Sequence, residues 1–181
     1  MTRPAIFLAT VLATTAMLCP AFTAVSPRLI WNASASTPIG LYMIEGGVPL
    51  SANDLVAVEP PEPLATLLAD RGYLPKDVPL IKHILAVSGQ TVCRRELVIS
   101  VDGTDVGMAL KRDRAGRDLP DWHGCRRIPV GAVFLMNSHV RDSFDGRYFG
   151  LLPTDHIIGR AVPLWTDEQN DGRFQWRAPA R

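Results

Sequence analysis

Apolar and polar positions alternate in short runs along most of the chain, and one apolar stretch is much longer than the rest. Residues 4–25 carry no charged side chain. As a helix they would span about 33 Å, enough for a hydrocarbon core of about 30 Å. Arg3 precedes this run and favours a cytoplasmic N-terminus, while Trp31 beyond it would sit near the outer interface. The run has no polar face, which argues against a buried core helix. A cleaved signal peptide is the competing reading, with a small-x-small site at Ala24-Val25-Ser26 followed directly by Pro27. The expectation adopted is an uncleaved transmembrane helix with a cytoplasmic stub over residues 1–26, and an exported domain over residues 27–181.

Beyond the anchor the pattern is that of short strands. Residues 41–44 and 55–58 read as strands, with turns at Gly46-Gly47 and at Ser51-Ala52-Asn53-Asp54. The proline cluster at 59–63 breaks the sheet, and residues 64–71 form an amphipathic helix stopped by Gly72. Residues 78–87 read as a strand buried on both faces, ended by Ser88-Gly89. Strands follow at 91–94 and 97–101, with Asp102-Gly103 as a tight hairpin turn, and again at 130–136 and 157–165. Residues 111–127 are charged and rich in turn formers, and read as a surface excursion. The last dozen residues are polar and read as frayed. The whole predicts a mainly β, coiled-sheet domain of about 150 residues.

Composition narrows the function classes. The chain has 181 residues, 47% of them hydrophobic, and a net charge of +1, as expected for one core-forming domain. No basic patch marks it for nucleic acid. Lysine occurs only at 76, 82 and 111, so a lysine inside an apolar run stands out. The three cysteines are at 19, 93 and 125, without zinc spacing. Cys93 and Cys125 are expected to form a disulfide tethering the charged excursion to the strand after Lys82; the alternative is two buried free thiols.

Two stretches carry candidate chemistry. In Asn32-Ala33-Ser34-Ala35-Ser36-Thr37-Pro38-Ile39-Gly40, Pro38 fixes its own φ and pushes Thr37 out of the helical region. A serine hydroxyl is thereby held beside a rigid segment, although a Ser/Ala linker leaving an anchor would look much the same. Serine is a weak nucleophile and needs a base. His83 or His139, paired with Asp142 or Asp145, is one possibility. A neutral lysine is the other, because burial penalises the charged form and lowers the pKa. Lys82 lies between Leu80-Ile81 and Ile84-Leu85, and in a strand Leu80 and Ile84 share its face. An edge-strand lysine pointing to water remains the alternative.

Four segments, in order, resemble the boxes of the type I signal peptidase family: Ser34-Ala35-Ser36-Thr37-Pro38; Ile81-Lys82-His83-Ile84 with Ser88-Gly89; Ser143-Phe144-Asp145-Gly146-Arg147; and Gly159-Arg160-Ala161-Val162. The Asn-x-Ser-x-Ser-x-Pro-x-Gly-Leu-Tyr form and the small size resemble its conjugative-transfer branch, the TraF-type pilin signal peptidases. The resemblance implies a signal-peptidase-like fold and a serine/lysine dyad, with Ser36 as nucleophile and Lys82 as general base. It further implies an oxyanion hole from the Ser34 hydroxyl and the Ser36 N–H, Ser143 orienting the lysine amine, and Asp145 with Arg147 as an ion pair near the site. Asp145 is important in the conjugative branch, so it joins the expected catalytic set; a purely scaffolding salt bridge is the alternative.

The sequence departs from the family pattern at Thr37, where methionine is usual, at the stretch from Asn137 to Asp142, and at Gly146, where serine is usual. These departures point away from a housekeeping role. The expected activity is that of a serine endopeptidase of the bacterial inner membrane, its catalytic domain in the periplasm. Its substrate would be an exported precursor such as a pilin subunit, cut after small residues. A lysine base requires no metal and no cofactor. The rival expectations are a general leader peptidase and a non-catalytic anchored β domain that binds a secretion or pilus partner.

Overall fold

The computed structural model describes residues 29–178 and, within the N-terminal run, residues 4, 7, 8, 10, 11, 13 and 14, which are helical. The rest of the expected anchor, with Cys19 and the Ala24-Val25-Ser26 site, lies outside the described residues. Among the described residues no helix is long and apolar enough to cross a membrane.

The domain is mainly β, in two antiparallel sheets. The larger has eight strands: β1 (Leu29–Asn32), β2 (Ile39–Glu45), β11 (Ile157–Asp167), β3 (Leu55–Val58), β4 (Leu80–Ala86), β9 (Ala132–Leu135) and β10 (Leu151–Pro153) in that order, with β12 (Gln175–Trp176) also on β11. The smaller runs β7 (Thr104–Met108), β6 (Val98–Val101), β5 (Thr91–Arg95), β8 (Gly124–Arg127). Helix α1 (Glu62–Asp70) packs Leu68 onto Val56, Val58, Leu80 and Ile84 of the large sheet. Its first turn includes Pro63, where the missing N–H has no helical partner to lose, so the proline cluster starts the helix instead of only breaking the sheet. A one-turn helix, α2 (Gly146–Phe149), completes the list. Phe134 and Met136 join Val92, Ile99 and Trp122 in the cluster that joins the two sheets.

The alternation in β2 buries Gly40, Tyr42 and Ile44 and turns the intervening residues outward. Gly40 has φ +148°, and a Cβ there would lie 2.2 Å from the Trp165 carbonyl oxygen. Only glycine lets β2 lie against β11 at this point.

Two expectations are corrected. The segment 111–127 is not only a surface excursion: Trp122 is buried and β8 pairs with β5, placing Cys125 opposite Cys93, to which it is disulfide-bonded. All four β8 residues are exposed, so no hydrophobic alternation announces this strand. The C-terminal residues are not simply frayed, because β12 pairs with β11 and Phe174 packs against Trp31 and Trp165. β1, absent from the expected elements, pairs with β2 along its whole length.

The disulfide spans a sequence separation of 32 residues. Replacing both cysteines by serine is expected to remove about 3–4 kcal/mol of stability through the freed unfolded chain. Thermal melts with and without reductant check this: the wild-type midpoint should fall on reduction and the variant's should not respond.

Candidate active site

Ser36 lies in the turn between β1 and β2, and the side chain of Asn32 organises that turn. Asn32 Oδ1 accepts from the Ser34 N–H at 3.0 Å. Its Nδ2 lies within 2.8 Å of the Ser34 carbonyl, 2.9 Å of Thr37 Oγ1 and 3.0 Å of the Pro38 carbonyl. Tyr42 O–H, from the buried face of β2, donates to the same Pro38 carbonyl at 2.7 Å. The backbone groups of a tight, partly buried turn are thus satisfied locally, which leaves the Ser36 hydroxyl free for other partners.

Lys82 supplies one of them. β3 and β4 pair with Val56 opposite Lys82, and Leu80 and Ile84 share its face in the apolar cluster. The lysine is 2% exposed. Its Nζ donates to Ser36 Oγ at 2.8 Å and to Ser143 Oγ at 3.0 Å. Burial pulls its pKa down to about 8; the nearby Asp145 carboxylate opposes this shift and Arg147 reinforces it. Ser34 Oγ lies 2.9 Å from Ser36 Oγ. The structure therefore brings Ser34, Ser36, Lys82 and Ser143 into one hydrogen-bonded chain, with a weakly basic amine beside a hydroxyl.

Asp145 and Arg147 are fully buried and paired, Nη2 to Oδ2 at 2.8 Å and Nε to Oδ1 at 2.9 Å. The remaining donors of Arg147 bond the carbonyls of Val140 at 2.8 Å, Arg141 at 3.1 Å and Ser143 at 3.2 Å. A single guanidinium thereby shapes the loop that carries Ser143. Asp145 also accepts from the backbone N–H of Asn137 at 3.1 Å, and acts on Lys82 by charge instead of by a hydrogen bond. Gly146 stands where the family pattern has serine, and the packing explains it: a Cβ would lie 2.6 Å from the Leu135 carbonyl oxygen and 2.7 Å from Phe134.

The residues of the histidine alternative are arranged differently, with His83 and His139 both on the cavity beside Ser36. Asp145 is taken by Arg147, Asp142 pairs with Arg114, and His83 faces Asn137. Within the fourth box, Arg160 pairs with Glu45 at 2.9 Å, linking β11 to β2. Among the described residues no group of three His, Cys, Asp or Glu side chains could hold a metal ion.

Two cavities meet at Ser36. One, of about 420 Å³, is floored by Leu68, Leu80 and Phe144, and the 111–119 segment forms one of its walls. That segment is latched to the turn after α1: the Asp113 carboxylate accepts from Tyr73 O–H at 2.5 Å, Arg117 Nη2 donates to the Arg71 carbonyl at 2.9 Å, and Arg71 donates to the Asp118 carbonyl at 2.9 Å. The other, of about 640 Å³, opens between Pro38, His83, Asn137 and Glu168. An extended peptide crossing Ser36 would have space on both sides of the hydroxyl. Sequence reasoning gave no role to Asn32 or Asn137; the only signal for Asn137 was a polar residue directly after an apolar strand.

Residues 2–165 match the family described as "Signal peptidase, peptidase S26". The chain is 34% identical over 145 residues to "Conjugal transfer protein TraF" of Agrobacterium fabrum, covering 75% of this chain and 81% of that protein. It is 36% identical over 146 residues to "Probable conjugal transfer protein TraF" of Sinorhizobium fredii, covering 75% and 76%. It is 30% identical over 114 residues to "Probable signal peptidase I-1" of Synechocystis, covering 63% and 54%.

Replacing Asp145 by asparagine would leave Arg147 buried without its counter-charge. A loss of about 3–5 kcal/mol in unfolding free energy is expected, measured by urea denaturation at neutral pH. A loss below 1 kcal/mol would mean that the carbonyl cage alone supports the guanidinium.

Proposed function

Because the chain belongs to the signal peptidase family, peptidase S26, we propose that it is a membrane-anchored serine endopeptidase that cuts an exported precursor with a Ser36–Lys82 dyad. The observation that carries this reading is the 2.8 Å contact between Ser36 Oγ and a lysine amine held out of water. The neutral amine of Lys82 accepts the Ser36 proton as Oγ attacks the scissile carbonyl, then returns it to the leaving amine. The developing oxyanion lies between the Ser34 hydroxyl and the Ser36 N–H. Ser143 orients the amine, and Asp145 with Arg147 holds Ser143 in place. Water then releases the acyl fragment by the same route in reverse.

Residues 1–26 are the anchor and stub, and residues 27–181 the periplasmic domain, at the inner membrane. Supporting this placement, Trp31, Trp165 and Phe174 form one aromatic group near the start of the described domain, with Trp31 half-exposed. Such side chains favour the interfacial layer of a bilayer. The substrate we favour is a pilin subunit of a conjugation system, a reading supported by the relatives named as conjugal transfer proteins. A general leader peptidase is the second reading, favoured by the relative named as a signal peptidase. Substrate range separates the two. A binding module without catalysis gives no account of a buried lysine against a serine.

The test is cleavage of a co-expressed pilin precursor. Wild type should cut it, and Ser36→Ala should fall to background. Lys82→Ala should be slower by on the order of a hundred- to ten-thousandfold. Lys82→Arg keeps the charge but cannot give up its proton, and is expected to be as inactive. Activity of Lys82→Arg near wild type would sink the dyad. The dyad also has a pH signature. The base works only when deprotonated, so kcat should rise with pH through about 8 and level off above it.

A further inference from the structure

Asn137 lies two residues beyond the end of β9 and is 4% exposed. Each of its polar groups meets a different part of the candidate site. Nδ2 donates to the Ser36 carbonyl at 2.6 Å and reaches the Ile81 carbonyl at 3.5 Å. Oδ1 accepts from the backbone N–H of His83, the residue after Lys82, at 3.0 Å and lies 3.2 Å from His83 Nδ1. Its backbone N–H donates to Asp145, and its carbonyl accepts from Arg147 Nη2 at 3.4 Å.

The nucleophile turn is ordered from within by Asn32 and from β2 by Tyr42, whose hydrogen bonds go to residues 34–38 of the turn itself. The Asn137 side chain is different: one planar amide spans the turn and β4. We propose that Asn137 is a positioning residue that clamps the Ser36 carbonyl and the Lys82–His83 backbone in one register, so that Ser36 Oγ stays within reach of Lys82 Nζ. The proposal rests on the Ser36–Lys82 reading given above. Asn137 touches no reacting atom. Its effect is on geometry, where a shift of about 1 Å can slow a reaction on the order of a hundredfold.

The clamp predicts a separation of rate from proton affinity. The groups that set the Lys82 pKa are its burial, Asp145 and Arg147. An alanine at 137 changes none of these charges. An aspartate at 137 keeps an acceptor for the His83 N–H, loses the donor toward Ser36, and adds a negative charge. That charge would face His83 directly and His139, Asp167 and Glu168 across the cavity they share, and, lying on the side of β4 next to Lys82, it would stabilise the lysine's protonated form.

The test needs no natural substrate. Full-length protein in detergent is treated with p-nitrophenyl acetate. Ser36 Oγ bonds to the acetyl carbon, its proton passes to Lys82, the ester C–O bond breaks and p-nitrophenolate leaves. Acetyl-Ser36 is read by mass spectrometry, and the rate is followed against pH and scaled to the folded fraction from thermal melts. Wild type should acquire one acetyl group at Ser36, faster as pH rises through the lysine's range. Asn137→Ala should acetylate roughly ten- to a hundredfold more slowly with its pH limb unmoved. Asn137→Asp should be slow as well, with the limb displaced to higher pH. An Asn137→Ala rate within twofold of wild type overturns the proposal, as does a displaced limb in that variant. A slowing that disappears on scaling to the folded fraction also overturns it, leaving a role in stability only. Ser36→Ala acetylating as fast as wild type would bring down the dyad itself, and the clamp with it.

Discussion

The hydrogen bond between Lys82 and Ser36 exists only because β4 carries an amine into a region that water does not reach. Leu80 and Ile84 flank it on the same face and Val56 stands opposite in β3. The same packing that builds the core of the large sheet therefore also sets the basicity of the amine. In water a lysine is almost wholly protonated at neutral pH. Here an appreciable fraction is neutral, and the amine's partners are serine hydroxyls. The chemistry open to the site follows from where the core ends.

Around that amine the chain spends its buried polar groups on holding loops in place. Asn32 orders the turn from inside, Arg147 gathers the carbonyls of the loop before Ser143, and Asn137 joins the two regions across β4. Asp145 serves both sides, as partner of Arg147 and as a distant charge on Lys82. The two expectations for this pair, scaffold and site member, are thus less separate than the sequence suggested. The pair shapes the loop that carries Ser143, and its charges act on the Lys82 amine.

What could be read in advance was what local pattern encodes. Ser36 stood out because Pro38 and Gly40 constrain a small-residue turn, and Lys82 because a charge inside an apolar run conflicts with its neighbours. β2, β3 and β4 follow from short apolar runs bounded by turn residues. β8 was missed because its four residues are all exposed and its pairing rests on backbone bonds and a disulfide. β12 was missed because two residues carry no period. Asn137 was beyond reach because its partners, Ser36 and His83, are 101 and 54 residues away in sequence.

Burying Lys82 also couples folding to a single proton. An unfolded chain would hold that proton up to a pH of about 10.4, whereas the folded domain releases it near 8. Between these values the unfolded state binds more protons, so the domain gains stability as pH rises, by about 3 kcal/mol in all from this one group. Below about 8 the fold carries the full penalty of a charged amine among aliphatic side chains. The neutral form of Lys82 is thus also the one in which the protein is hardest to unfold. A lysine with a higher folded pKa would accept a proton more strongly and cost the fold less, but less of it would be neutral at pH 7.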